Sequence, residues 1–333
     1  MKKVVVTGGS GFVASWVIAA FLNQDYAVTT SLRSLDKAAA IKAGLSRYVD
    51  ATRLAHLSFF VADLTQADGW QAGMRGADGV IHVASPLGHG TESTAELVRV
   101  ATSGVREVFE AAAAVGIKRI VMTSSQAAST PRSTSAKTLD ESFWTDPDNP
   151  ELDAYRISKV RAEQTAWQLA ADLNLDLTTI LPGAIFGPVM TRNLSSNGIL
   201  LQLLKGQPAL PKVPLEISDV RDLATLHRLA FEQDQAIGKR YLAASQTLTM
   251  LAVGRLYQQN FPQLNLHVRA LPNWATRLLA KPMPSLRSLV PMLNRQYHHT
   301  TAAAEHDLGW QQTAPDATVL AAAQRLINLG LVD

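Results

Sequence analysis

The chain has 333 residues, 47% of them apolar and 18% charged, enough for one large α/β domain with an appendage or about two average domains. It contains no cysteine, which excludes disulfides, thiolate nucleophiles and cysteine-ligated metals. The formal net charge is only +3, and no run of Lys and Arg is interleaved with aromatics, so a nucleic-acid partner is not expected.

The start, Met1-Lys2-Lys3-Val4-Val5-Val6, mimics a signal peptide, with charge followed by apolar residues. Thr7-Gly8-Gly9-Ser10-Gly11 breaks the apolar run after three residues, so a first buried strand is expected in place of an export segment. No later segment approaches the ~20 apolar residues of a membrane helix, and the expectation is a soluble, cytoplasmic protein with no membrane partner. Short apolar, β-branched runs follow at Val28–Leu32, Leu57–Val61, Gly79–Val83, Arg119–Met122 and Leu177–Leu181. Helical spacing of apolar residues fills the intervals at Phe12–Leu22, Ala38–Leu45, Ala95–Val115 and Ala154–Leu173. Continuously apolar strands separated by helices predict an α/β fold, a doubly wound parallel sheet of the Rossmann type.

After Pro182 the pattern loosens. Prolines at 208, 211 and 214 mark a break, and the helical Val220–Glu232 and strand-like Arg240–Ala243 read as a return to the main sheet. Pro272, Pro282, Pro284 and Pro291 mark short helices and turns. The expected division is a nucleotide-binding domain of residues 1–188 plus 216–245 and a smaller C-terminal substrate lobe of 189–215 plus 246–333.

The turn after the first strand reads G-x-x-G-x-x-A over Gly8, Gly11 and Ala14. Gly8 permits a tight turn, Gly11 lets a pyrophosphate approach the backbone, and Ala14 lets the helix pack on the strand. The open N–H groups of the helix start at Phe12 and Val13 would face the phosphates. A glycine turn without a ligand is the plainer alternative. A carboxylate closing the second strand would hold the ribose 2′-hydroxyl of NAD, but here Leu32 and Arg33 stand there, with Lys37 nearby. A cation without an acid suits a 2′-phosphate and hence NADP(H), unless Arg33 is only a solvated surface residue. Asp63-Leu64 follows the third strand, either capping the adenine or with Asp63 as N-cap of the next helix. Ala84-Ser85-Pro86 closes the fourth strand, where the main chain would pass beneath the cofactor. His82, within that strand, reads as a packed core residue.

Tyr155 and Lys159 lie four residues apart, on one helix face. A phenol with a pKa of about 10 is a poor proton shuttle near neutrality, and a neighbouring ammonium favours the phenolate. Such a pair alone recurs by chance. The fifth strand ends in Thr123-Ser124-Ser125, whose hydroxyls can hydrogen-bond a substrate oxygen at the C-terminal edge of the sheet. Phe143, Trp144, Leu194, Leu200, Leu203 and Leu204 could wall an apolar pocket, although an apolar helix face packed on the core explains them as well.

With these motifs the chain resembles the extended short-chain dehydrogenase/reductases, in the branch of dihydroflavonol reductases, cinnamoyl-CoA reductases and yeast-type methylglyoxal/aldehyde reductases. The resemblance is dense over residues 4–190. It is carried by His82-Val83-Ala84-Ser85-Pro86, Thr123-Ser124-Ser125, Leu139-Asp140-Glu141-Ser142-Phe143-Trp144, and Tyr155-Arg156-Ile157-Ser158-Lys159 with Ala162-Glu163. Pro182-Gly183, Gly187-Pro188, Asp219-Val220-Arg221-Asp222-Leu223-Ala224 and Leu308-Gly309-Trp310 extend it. The resemblance implies NADPH-dependent reduction of an aldehyde or ketone, with Ser125 (or Ser124) and Lys159 assisting Tyr155 as proton donor, and Pro182 near the nicotinamide. Two departures are Ser103 and Thr130, where relatives tend to carry asparagine; the second weakens a polyphenol substrate. A nucleotide-sugar epimerase/dehydratase, or a non-catalytic NADP-binding redox regulator, are the competing readings. A homodimer is left open, and no metal is expected.

Overall fold

Val4, Val5, Val6, Val80, Ile81, Ile120 and Val121 have no exposed surface. Strands covered on both faces need helices above and below the sheet, and the chain supplies them in alternation. The computed structural model describes residues 1–332 except 87–92, 133, 151, 208, 284–285 and 287–288. Pro208 and Pro284, two of the expected breaks, therefore lie outside the described residues. β1 (Lys3–Val6) leads to α1 (Phe12–Leu22), β2 (Ala27–Leu32) to α2 (Ala38–Leu45) and α3 (Ala51–Leu54), and β3 (Leu57–Val61) to α4 (Trp70–Met74). Next come β4 (Gly79–His82), α5 (Thr94–Ala114), β5 (Arg119–Thr123), β6 (Thr138–Leu139), α6 (Ala154–Asp172) and β7 (Asp176–Leu181). The remainder runs β8 (Ala184–Phe186), α7 (Asn197–Leu204), β9 (Leu210–Pro211), β10 (Pro214–Asp219), α8 (Val220–Glu232), β11 (Arg240–Leu242) and β12 (Thr247–Thr249). It ends α9 (Met250–Asn260), β13 (Ala270–Leu271), α10 (Asn273–Leu279), β14 (His298–His299), α11 (Ala302–Leu308) and α12 (Pro315–Asn328).

The main sheet is seven-stranded and parallel throughout, in the order β11-β7-β5-β4-β1-β2-β3. The chain winds outward from β1 to β3, then crosses to β4 on the other side of β1. The order therefore reverses between β1 and β4, the switch point where an open sheet of this kind binds ligands at its C-terminal edge. The expected return of 220–243 is seen: α8 packs on α1, and β11 pairs with β7 at the sheet edge.

A second core gathers Phe186, Leu200, Leu204, Ile217, Val253, Tyr257 and Val319, all buried, from α7, α9, α12 and the three-stranded sheet β12-β10-β8, with Val213 from the link between β9 and β10. Leu200, Leu203 and Leu204 are thus core residues rather than pocket walls. The division into two parts departs from expectation at two places. The boundary at 216 falls inside β10, which pairs with β8 on one side and β12 on the other and so cannot be divided. Ala304, Leu308 and Trp310, expected in the lobe, pack in the first core, which gathers buried residues of β1, β2, α1 and α8, and there the Trp310 indole N–H donates to Asp222 O at 2.8 Å. No helix among the described residues is long and apolar enough to cross a membrane, and none of their His, Asp and Glu residues cluster as a metal site would require.

Candidate active site

The glycine turn sits at the switch point. Gly8 has φ +75°, a conformation that disfavours side chains, and a Cβ there would stand 2.9 Å from Cβ of Ala84. The turn closes with Gly11 N–H donating to Gly8 O at 2.8 Å, and Gly8 N–H donates to the Ser31 hydroxyl at 2.9 Å. Helix α1 has no side-chain cap and no acid in its first turn, so its N-terminal N–H groups are open to an anion. Phe12 and Val13 contribute only backbone here; the Phe12 side chain is buried in the second core and Val13 packs on both cores. A bare glycine cradle beneath an uncapped helix start fits a dinucleotide pyrophosphate. One clasp has no counterpart in the sequence patterns: Asn193 Nδ2 donates to Ser10 O at 2.9 Å, tying a residue after β8 to the turn.

At the end of β2, Arg33 and Lys37 are exposed, while Leu32 is buried and its carbonyl accepts Ala62 N–H at 3.0 Å. That bond brings the end of β3 alongside, where the Asp63 carboxyl is held below its ordinary range by Thr65 hydroxyl and N–H donors at 2.7 and 2.8 Å, with a smaller effect from Arg33. Asp63 therefore shapes its own turn and is not a helix N-cap, because α4 begins only at Trp70, with Gly69 before it. Leu64 packs against Gly104 of α5 and helps line a small cavity with Ala84, Ser85, Ser124 and Lys159.

Helix α6 carries Tyr155 and Lys159. Asp153 caps its start, accepting Arg156 N–H at 2.8 Å. The Lys159 side chain is buried, donates to Ser85 Oγ at 2.9 Å across the sheet edge, and lies 5.5 Å from the centroid of the Tyr155 ring. Ser125 begins the turn 126–129 and accepts Ala127 N–H at 3.1 Å, and α6 packs against that turn. Ser124 differs: its hydroxyl donates to Glu163 Oε2 at 2.7 Å inside the protein. Pro182 is buried, and its carbonyl accepts Gln126 N–H at 2.9 Å, so β7 braces the turn after Ser125. Thr130 does the same from within, its hydroxyl donating to Gln126 O at 3.1 Å. Ser103 donates only to Val100 O within its own helix, at 3.3 Å.

His82 is buried and neutral, as expected of a core residue. Burial, with the Lys159 charge added, pushes its pKa down to about 3. Its Nδ1 lies 3.0 Å from the Thr7 hydroxyl, which also accepts Val83 and Ala84 N–H at 3.0 and 2.9 Å. Thr7 thus locks the ends of β1 and β4 together, a role no spacing pattern in the sequence signals. The same is true of a buried ion pair. Glu163, fully buried, accepts Arg240 Nε at 2.9 Å and the Thr179 hydroxyl at 2.7 Å. Arg240 also donates to the carbonyls of Glu141 and Phe143 and stacks at 3.7 Å on Trp144. One turn beyond Lys159, this pair ties α6 to the outermost strand and to segment 139–144. The half-buried Trp144 is therefore held to the scaffold by the Arg240 guanidinium.

A family model described as the NAD dependent epimerase/dehydratase family matches residues 4–244. Cinnamoyl-CoA reductase 1 of Oryza sativa subsp. japonica is 34% identical over 268 residues, covering 79% of this chain and 77% of that protein. An anthocyanidin reductase ((2S)-flavan-3-ol-forming) of Vitis vinifera is 31% identical over 281 residues, covering 79% and 82%. The crystal structure of yeast methylglyoxal/isovaleraldehyde reductase complexed with NADPH superposes with a TM-score of 0.82 at 24% identity, covering 99% of this chain and 100% of that one, a likeness of fold. Both of these relatives above 30% identity are reductases, which favours the reductase reading over the epimerase one. By the extent of the family match and the order of its strands, glycine turn and Tyr-Lys helix, the chain belongs to the NAD dependent epimerase/dehydratase family.

Proposed function

We propose that this chain reduces an aldehyde or ketone to an alcohol with NADPH. The observation that carries the reading is the reach of Lys159 from beside the Tyr155 ring to Ser85, at the sheet edge that Gly8 and Ala84 also form. Gly8, Gly11 and the backbone of Phe12 and Val13 hold the pyrophosphate, Arg33 and Lys37 face the 2′-phosphate, and Asp63 and Leu64 flank the adenine. Ala84, Ser85 and Pro182 line the path to the nicotinamide. Bound NADPH supplies the hydride.

The residues of this chain manage the oxygen. Ser125 keeps its hydroxyl proton free of any hydrogen bond among the described residues and offers it to the carbonyl oxygen. Ser124 is the weaker candidate, because its proton is engaged by Glu163. Tyr155 gives its phenolic proton to the same oxygen as charge develops there. The Lys159 ammonium stabilises the phenolate left behind and, through Ser85, orients the cofactor side of the site. Names of the relatives above 30% identity support reduction, and the cation at the end of β2 supports NADPH.

Residues 189–215 and 246–333, with the exchanges noted above, form the substrate lobe in this reading, and the working unit is a cytoplasmic homodimer. Light scattering on the purified chain tests the last point. The main test is steady-state oxidation of NADPH with a panel of aldehydes, ketones and diketones. Turnover of at least one is expected, and no turnover across the panel would overturn the proposal.

A further inference from the structure

His82, His227 and His299 are buried, and the first two have a hydroxyl against the ring. Thr7 Oγ1 lies 3.0 Å from His82 Nδ1, and Thr123 Oγ1 lies 2.7 Å from His227 Nε2. A hydroxyl can give a proton as well as take one, so both rings are satisfied when neutral. Among the described residues, His299 has no such partner. Its Nδ1 lies 2.7 Å from Glu216 Oε2 and its Nε2 lies 2.8 Å from the carbonyl oxygen of Ser129.

A carbonyl only accepts. The Glu216 carboxylate is already an acceptor twice over, for His299 N–H at 2.7 Å and for Arg295 Nη2 at 3.1 Å. Burial pushes the Glu216 carboxyl up, but the His299 and Arg295 contacts outweigh it and leave the group below its ordinary value. With a carboxylate on one side and a carbonyl on the other, each ring nitrogen lies within hydrogen-bond distance of an oxygen. Tyr297, also titratable, stands edge-on to the ring at 6.0 Å, with the Arg295 guanidinium 5.0 Å over the tyrosine.

We infer that His299 is a positioning residue: an imidazole clamped between Glu216 on β10 and Ser129, the last residue of the turn that Ser125 begins. Ser129 is fully buried, and the turn between the two is closed by Ala128 N–H on Ser125 O at 2.9 Å. A shift of the Ser129 carbonyl is therefore felt by Ser125 within one turn. The surrounding backbone is built for the same purpose. β14 pairs with β6, and Gln296 N–H donates to Thr134 O at 2.9 Å, so the late chain is stitched along the segment that follows Ser125. The functional side of the inference rests on the proposed role of Ser125.

Two measurements test it. In protein with ¹⁵N-labelled histidine rings, long-range ¹H–¹⁵N spectra distinguish rings hydrogen-bonded at both nitrogens from rings free in solvent. A ring held at both nitrogens is expected for His299, and a solvent-like ring there overturns the clamp. This measurement needs no variant. In kinetics, His299→Gln is expected to lower kcat about tenfold, with KM for NADPH within about twofold, by letting the turn drift. Placed on Ser125→Ala, it is expected to cost little more. If the two losses multiply, His299 does not act through Ser125 and the inference fails. If Ser125→Ala alone leaves kcat unchanged, the role of Ser125 falls, while the ring spectra still decide the clamp.

Discussion

Lys159 Nζ stands 2.9 Å from Ser85 Oγ, a bond between residues 74 positions apart in the chain. It joins helix α6 to the end of β4, so that the Tyr-Lys pair and the main chain proposed to lie under the cofactor form one unit. Lys159 is thus fixed at its tip as well as its base, and Tyr155 stands one helical turn before it.

Tyr155→Phe removes the proposed proton donor and little else. The loss expected in kcat is about 10²–10⁴-fold, the range for a positioned acid, with NADPH affinity unchanged by calorimetry. Retained turnover would refute the assignment.

Arg33→Ala should shift the ratio of kcat/KM for NADPH over NADH toward NADH by roughly 10–100-fold. That corresponds to one charge-assisted hydrogen bond of about 1.5–3 kcal/mol. Arg33 is exposed, so folding should not change. An unmoved ratio would leave Arg33 as mere surface.

Arg240→Ala strands the Glu163 carboxylate in the interior. Breaking one partner of such a pair costs about 3–5 kcal/mol, measurable as a lower urea midpoint. The double variant Glu163→Gln, Arg240→Met should recover part of this, because no charge is then left unpaired. Equal destabilisation of both proteins would mean that the loss lies in packing on Trp144.

Acid should weaken the fold through its neutral histidines. Burial holds His82 at about 3 and His227 at about 4, below the ordinary value of 6.5. The unfolded chain therefore binds more protons than the folded one between about pH 6.5 and 4. The contribution of both groups is complete above about pH 6.5 and declines as pH falls through that window, by up to about 1.4 kcal/mol per unit for each group. Urea midpoints at two pH values in this range would show the decline, and His227→Gln should flatten it if the variant folds.

Gly8→Ala adds a Cβ 2.9 Å from Ala84 in a left-handed conformation. NADPH binding, followed by quenching of protein fluorescence, should weaken more than overall stability does. Unchanged affinity would detach the glycine turn from the cofactor.

The strands and helices of the main sheet were legible in the chain itself. Hydrophobic periodicity is local, and Phe12–Leu22, Ala38–Leu45 and Val220–Glu232 begin and end where the pattern does. The glycine turn and the Tyr-Lys spacing were legible for the same reason, since each lies within one turn or one helix. Three-residue and two-residue strands such as β8, β12 and β14 were not, because pairing partners far along the chain create them. Asp63 lost its reading as a helix cap, since the competing Thr65 contacts are set by how the turn closes. Which serine keeps its proton free, where Lys159 ends, and the burial of Glu163, Arg240, Glu216 and His299 were decided only by folding. Hydrogen bonds and buried charges join residues dozens of positions apart, and their energies depend on the water that packing removes.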